Sequence, residues 1–392
     1  MSFSIVSAET PLALIIRQLA TKAPLSISQY MGLCLGHAQH GFYRQPQPFG
    51  AGGHFITAPE ICQIFGEVWG LWAATFYLEK CPVRLNVLEL GPGRGTLMGD
   101  FLRGTQHVPG FHDALHIMYV DINRYQQKPQ KDQAAPFVGA RIRWAASIGD
   151  ALAQLPPGPT LVLGNEYLDC LPVDQAVFHD GQWRERRIGI RPTSGDISQP
   201  FGVDPMLTDP RSTDLAFVYG DIISPAMLFE ISGKAVPGQP HENQIHEYAT
   251  ALSSTASQIG DHLSRHGGRV LFCDYGYENA PGLSTVQAIY KHQKVPVFYK
   301  PGAADVTALV NFTAVSQAFL RFQCRVKLMT QHHFLQSYGF EQRRDQLAAH
   351  LCHHAMNATA ANKDFQERAE RVYNGMSNFY AWEGDFGDGV SA

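Results

Sequence analysis

The chain has 392 residues, 45% of them hydrophobic and 17% charged, with 31 Lys and Arg against 35 Asp and Glu and a formal net charge of −4. That is enough chain for a sizeable core in one elaborated domain or two, and the near balance of charge gives no electrostatic case for nucleic acid or an anionic membrane. No apolar run reaches the length of a bilayer-spanning helix, and the seven scattered cysteines, without a C-x-x-C pair, fit reduced thiols.

In chain order, the N-terminus carries Glu9 with only Arg17 and Lys22 as early positive charges. It has neither the Arg-rich character of a transit segment nor a signal-peptide cleavage pattern, so the sequence points to the cytoplasm. Residues 8–20 pattern as an amphipathic helix, and Pro24 precedes a second helix start at Ser26 or Ser28. A glycine-rich loop spans Gly50 to Gly53. The next helix is expected from Pro59 through Tyr77, where Ile61, Ile64, Phe65, Val68, Trp69 and Trp72 recur at helical spacing. Residues 1–84 thus read as an N-terminal helical extension.

From residue 85 the pattern becomes α/β. Strands are expected at 85–90, 116–120, 141–144, 160–164 and 269–274, with helical stretches between several of them. That is the alternation of a doubly wound, mainly parallel sheet. Short apolar strands such as Leu161-Val162-Leu163 suit a sheet covered on both faces. Residues 85–313 read as the principal domain, with an insertion at about 175–235. Within it, residues 175–190 pattern as a hairpin turning at Asp180-Gly181, and residues 191–214 as an exposed loop. A helix at about 242–265 ends at Gly267-Gly268 and feeds the strand at 269–274. Residues 314–392 read as helical and packed on the same domain. His350, Cys352, His353 and His354 match no standard zinc spacing, and no metal site is assigned to them.

Function concentrates in residues 85–97. An apolar run ends in Glu89, and a Gly-x-Gly-x-Gly loop follows as Gly91, Gly93 and Gly95. A buried strand delivers such a loop to the carboxyl edge of a parallel sheet, where ligands bind in open α/β folds. Dinucleotide sites show G-x-G-x-x-G. Here the third glycine comes one residue early and an acid stands two residues before the first, features of the first motif of class I S-adenosylmethionine (SAM) methyltransferases. A purely structural strand-to-helix turn would use the same glycines. Asp121 ends the run 116–120, where an acid accepts hydrogen bonds from ribose hydroxyls or, more plainly, caps a helix.

Asn165-Glu166-Tyr167-Leu168-Asp169 follows the strand at 160–164. Methyl transfer requires the acceptor to be held in line with the sulfonium. A guanidinium acceptor also needs carboxylates to orient it and remove a proton. Glu166 and Asp169, with Asn165, are the candidates for that role; helix capping before Leu171-Pro172 is the alternative. Asp274-Tyr275-Gly276 ends another strand, as a pocket wall or a simple turn. The stretch Lys300 to Thr307 reads as a turn and a capped helix start.

Taken together, these pieces resemble the MidA family of SAM-dependent methyltransferases, which includes a mitochondrial complex I assembly arginine methyltransferase. The resemblance is carried by Ile27 to Met31; Gly41-Phe42-Tyr43; Phe55 to Glu60; Phe65-Gly66-Glu67; Glu89 to Thr96; Asn165-Glu166-Tyr167 with Asp169, Leu171 and Pro172; Asp274-Tyr275-Gly276; Pro301-Gly302; and Asp305 with Thr307. It implies a class I methyltransferase fold, Rossmann-like, with a helical N-terminal extension and a β-hairpin insertion. It implies SAM as cofactor, bound by Glu89, Gly91, Gly93, Gly95 and Asp121. It further implies a protein acceptor, in one branch an arginine of a complex I subunit, and a bacterial cytoplasmic location or, for a eukaryotic chain, the mitochondrial matrix. Three positions depart from the family pattern: His54, Ser284 and Asn311 stand where an Asp is usual. Each exchange removes a carboxylate, which bears on arginine methylation more than on cofactor binding. A SAM-binding assembly factor with little catalysis and a small-molecule methyltransferase are therefore the rival readings; a nicotinamide dehydrogenase ranks last on glycine spacing.

Overall fold

The computed structural model describes residues 9–46, 57–139, 141–191, 214–232, 238–354 and 358–389. The five expected apolar segments form the parallel part of one sheet: β1 (Leu85–Leu90), β2 (Leu115–Val120), β3 (Ile142–Ala145), β4 (Thr160–Asn165) and β5 (Gly268–Tyr277). β1 is buried at every position, as a central strand covered on both faces must be. Two further strands, β6 (Arg325–Thr330) and β7 (Phe379–Asp385), extend the sheet to the order β6, β7, β5, β4, β1, β2, β3. β7 runs antiparallel to both its neighbours.

β6 and β7 correct the expectation that everything after residue 313 is helical. Their sequences mix charge with apolar residues because β6 is an edge strand, exposed at every second position along most of its length, and so offers no continuous apolar run. The chain moves one way along the sheet from β1 to β3 and the other way from β4 to β5. The reversal lies between β1 and β4, and their carboxyl ends open the crevice in which open α/β sheets bind ligands.

The helix expected from Pro59 is broken at Cys62, whose backbone is extended (φ −146°, ψ 121°). A short helix, Ala58–Ile61, precedes α1 (Gln63–Lys80). Trp69, Trp72, Phe65 and Phe76 of α1 are fully buried, and the helix packs on α2 (Thr96–Thr105) with almost no space between backbones. A Cβ at Gly66 would stand 2.6 Å from Asp100 Cβ, and one at Gly70 would stand 2.5 Å from the Phe101 carbonyl oxygen. This contact fixes the start of α2, and with it the glycine loop. Glu67, 1% exposed, is held by both Nε (2.7 Å) and Nη2 (3.1 Å) of Arg343.

A second core lies against the carboxyl edge of the parallel sheet. Asp174–His179 and Gln182–Ile190 form the expected hairpin. Asp180 (φ 49°) and Gly181 (φ 75°) both take the left-handed conformation that a two-residue turn of type I′ requires. Leu215–Ile222 and Ile245–Tyr248 add strands on either side. The latter pair takes residues that the sequence assigned to a helix; helix Thr250–His266 starts only after the strand pairing ends. Helices Pro11–Lys22 and Ile27–Gly36 cover this sheet, with Leu12, Ile16, Tyr30 and Met31 packed against Val177, Ile188 and Phe217. A small sheet of Gln287–Tyr290, Gln293–Val295 and Asp305–Thr307 completes the layer. The helix start expected within residues 300–307 is therefore a strand, which Asp305 opens. The glycine-rich loop at 50–53, His54 and most of the 191–214 segment lie outside the described residues.

Candidate active site

A cavity of about 1030 Å³ sits between the carboxyl edge of the parallel sheet and the second core. Glu89, Gly91, Gly93, Asp121, Asn165, Glu166 and Asp169 all line it. Gly91 (φ 63°), Gly93 (φ 53°) and Gly95 (φ 80°) are all left-handed, a conformation that side chains with a Cβ rarely adopt. Gly95 does not face the cavity. It is the residue before α2, and a Cβ there would come 2.8 Å from Gln130 Cα.

Gln130 has no motif signature, yet it organises this end of the cavity. Its Nε2 donates to the Gly93 carbonyl and to Asp121 Oδ2, both at 2.8 Å, while Oε1 accepts from Trp144 Nε1 at 2.7 Å. Asp121 Oδ1 accepts the Asn123 N–H at 2.7 Å. Burial pushes the Asp121 carboxyl up to about 6, against the pull of these bonds. Glu89 is 2% exposed and its Oε2 has no hydrogen-bond partner among the described residues. Desolvation first, then the nearby Asp121 charge, raise its carboxyl to about 8.

At the other end, β4 delivers Asn165 and a tight turn. Glu166 holds a left-handed backbone (φ 48°), a strained conformation for a side chain of this size. Asp274 fixes the turn: Oδ2 accepts the N–H groups of Leu168 (2.9 Å) and Asp169 (3.2 Å), and Oδ1 that of Tyr275 (2.9 Å). Burial, then the Asp169 charge, push the Glu166 carboxyl up to about 8; Asn165 Nδ2, 3.4 Å from Glu166 Oε1, lowers it slightly. Asp169 accepts from the Tyr275 hydroxyl and from Cys170 Sγ (3.1 Å), and burial holds its carboxyl above the usual range. Asp305, also buried, accepts from the Tyr43 hydroxyl at 3.1 Å and is raised well above the usual range by burial and by Asp169.

Tyr43, Gln130 and Asp305 were not singled out as site residues from sequence. For Tyr43 and Asp305 a signal existed, since both lie in the segments that carry the family resemblance. Two of the three departures are visible, and neither lines the cavity. Ser284 Oγ accepts from Gln175 Nε2 at 2.8 Å. Asn311 caps helix Phe312–Leu320, its Oδ1 accepting the Ala314 N–H at 3.1 Å. Among the described residues, His179 and Asp180 at the hairpin turn and Glu242 before the strand Ile245–Tyr248 have metal-ligand reach, outside the cavity. The side chains of Cys352, His353 and His354 lie outside the described residues.

Residues 68–330 match a family described as S-adenosyl-L-methionine-dependent methyltransferases. The chain is 28% identical over 355 residues to a Drosophila melanogaster protein, the mitochondrial protein arginine methyltransferase NDUFAF7 homolog, spanning 85% of this chain and 76% of that one. With the human mitochondrial protein arginine methyltransferase NDUFAF7 it shares 27% identity over 360 residues, 86% and 76% of the two chains. Among solved structures, a COG1565 superfamily protein from Burkholderia thailandensis, bound to S-adenosyl-homocysteine, has the same fold: TM-score 0.73 at 20% identity, covering 95% of this chain and 91% of that one. No helix among the described residues is long and apolar enough to cross a membrane. Since the family match runs through more than half of the chain and the fold is shared with a solved relative almost end to end, the protein belongs to this family of SAM-dependent methyltransferases, and SAM is its cofactor.

Proposed function

We propose that the protein methylates an arginine side chain of a protein acceptor, in the service of respiratory complex I assembly. The compartment is the bacterial cytoplasm or, for a eukaryotic chain, the mitochondrial matrix. The observation that carries the arginine reading is the cluster of carboxyl groups in the cavity. Glu166, Asp169 and Asp305 line it, and among the described residues none of them is in an ion pair. A guanidinium is planar, always charged and rich in N–H donors, so it matches several carboxylates at once. The names of the relatives, protein arginine methyltransferases, support the same acceptor. Complex I comes from the family resemblance.

The cofactor end fits a sulfonium nucleoside. The unpartnered Glu89 oxygen is placed to accept from an ammonium group, and the left-handed Gly91 and Gly93 keep side chains out of the space beside it. Asp121 stands one strand away, its two oxygens each with lone pairs left for ribose hydroxyls. SAM supplies an activated methyl group bonded to a sulfonium. The protein must then hold the acceptor nitrogen in line and exclude water. Asn165, Glu166 and Asp169 would orient the guanidinium. Its nitrogen lone pairs are delocalised, so a base must take a proton as the nitrogen attacks. Glu166, raised to about 8 before any cation enters, is well matched to that task.

The test is incubation of purified protein with labelled SAM and an extract from a strain lacking it, followed by mass spectrometry of the labelled product. Label on an arginine of a polypeptide is expected. Label confined to small molecules, or none at all, would overturn the reading.

A further inference from the structure

Two buried carboxyls of the cavity come from distant parts of the chain and are joined through two side chains. The Tyr43 hydroxyl lies 3.1 Å from Asp305 Oδ1 and 2.9 Å from Cys170 Sγ, and Cys170 Sγ lies 3.1 Å from Asp169 Oδ1. Three contacts therefore link Asp305 to Asp169, but Tyr43 and Cys170 bring only one proton each. With both carboxyls ionised, one contact would set two acceptors face to face. A third proton, on either carboxyl, completes the chain: the protonated carboxyl donates to its neighbour, each bridging group passes a donor onward, and the far carboxylate accepts.

Burial favours that filled state. Asp169 and Asp305 are each 4% exposed, and no ion pair neutralises either among the described residues. Among the described residues, the groups facing the pair are Tyr43, Glu166, Cys170, Asp274, Tyr275 and Thr307, none of them cationic; Arg371 and Arg94, the latter paired with Glu60, line the same cavity. His292, from the small sheet's hairpin, lines the same cavity. The cavity also holds polar atoms that await a partner: Glu89 Oε2, on a side chain 2% exposed, and Asn165 Oδ1.

We propose that Asp305 contacts the acceptor cation alongside Asp169, and that the two share one proton along the Tyr43–Cys170 bridge at rest. Entry of the cation releases this proton to solvent, so the pocket admits a guanidinium and resists a neutral group. Tyr43 is a positioning residue, carried in from the N-terminal layer. The proposal rests on the arginine reading. In the transfer itself the carbon–sulfur bond breaks with its electron pair left on sulfur and a carbon–nitrogen bond forms. The proton lost by that nitrogen passes to Glu166, and the shared proton returns from water when product leaves.

The experiment uses the full chain and a peptide spanning the labelled arginine, with KM and kcat measured from about pH 6 to about pH 9. Because a proton competes with the cation, the acceptor KM of the parent should fall as pH rises. Asp305→Asn cannot supply the second charge and should raise that KM about 30-fold, with SAM affinity by calorimetry within about threefold. Asp305→Glu should recover part of the loss. Tyr43→Phe breaks the bridge and removes a donor that favours the ionised Asp305, so the fall of KM should move to higher pH. A parent KM indifferent to pH, or an Asp305→Asn variant with the parent's KM, would overturn the proposal. If Asp305→Asn fails to bind SAM because it does not fold, the Tyr43→Phe profile decides: a profile that superimposes on the parent's refutes the shared proton. A parent that labels no arginine defeats the underlying reading instead, before any variant is compared.

Discussion

The two ends of the cavity are built by different means. The cofactor end is assembled from adjacent strands: Glu89 and the glycine loop at the end of β1, Asp121 just beyond β2, with Gln130 tying loop to acid. Its shape is mostly backbone conformation. The acceptor end is assembled from side chains on four separated segments, Tyr43, the 165–170 turn, Asp274 with Tyr275, and Asp305 with Thr307. Its shape depends on how the second core docks on the parallel sheet. Local changes should therefore ruin the first end outright, while the second should respond to substitutions far apart in sequence.

The sharpest break is Gly93→Val. At φ 53° a β-branched residue is strongly strained. The loop must move, and SAM affinity should fall about 100-fold or more, to no detectable heat in calorimetry. Retained binding would show that the loop does not set the cofactor site. Next comes Glu166→Gln, which separates the two ends. Turnover should drop on the order of 100-fold with SAM affinity little changed. The parent's kcat/KM should rise with pH through about 8, as Glu166 loses its proton, and the variant should keep only the part of that rise that comes from the acceptor KM. An equal loss of SAM affinity would show that the ends are not separable.

A smaller effect with two signs is expected of Glu89→Gln. The folded carboxyl titrates at about 8, above the ordinary 4.5 of an unfolded chain. The folded state thus binds more protons between these values, and stability falls as pH rises from 4.5 through about 8. A glutamine carries no such penalty. The ligand-free variant should melt higher than the parent above pH 8, by roughly 2–4 kcal/mol, and similarly below 4.5. Its SAM affinity should nonetheless be about tenfold weaker, since a charge-assisted bond is lost. A variant no more stable at high pH would mean that Glu89 finds a partner in solution.

This contrast also explains what could be read from sequence. β1 to β5, the glycine loop and Asp121 are local: an apolar run, three glycines and an acid at the next strand end suffice to place them. The turn at 165–169 was legible for the same reason, since it ends a strand. The stretch 300–307 reads as a capped helix start because it opens on a turn, and nothing local tells such a start from a short strand that faces a cavity. Tyr43 and Gln130 act only through partners far away in the chain, which periodicity cannot reveal. β6 and β7 were missed because edge and antiparallel strands with mixed charge mimic amphipathic helix. In the same way, the strand Ile245–Tyr248 was absorbed into the following helix.

The smallest effect expected is the most useful for the departures from the family pattern. If the lost carboxylates gripped the acceptor, restoring them should raise turnover. Asn311 argues otherwise, because it caps the helix Phe312–Leu320 and lies outside the main cavity. Aspartate caps as well as asparagine does and favours a helix N-terminus slightly more through its charge. Asn311→Asp should therefore leave kcat/KM within about twofold and stability within about 0.5 kcal/mol. Ser284 sits differently. Its partner Gln175 also donates to Glu247, a buried carboxyl already raised by desolvation. A second carboxylate there would repel the first, so Ser284→Asp should destabilise the fold by roughly 1–2 kcal/mol without increasing turnover. A clear gain in methylation from either variant, measured with labelled SAM, would move the acceptor grip away from Glu166, Asp169 and Asp305 and toward the smaller cavity of about 270 Å³ that Asn311 and Glu247 line.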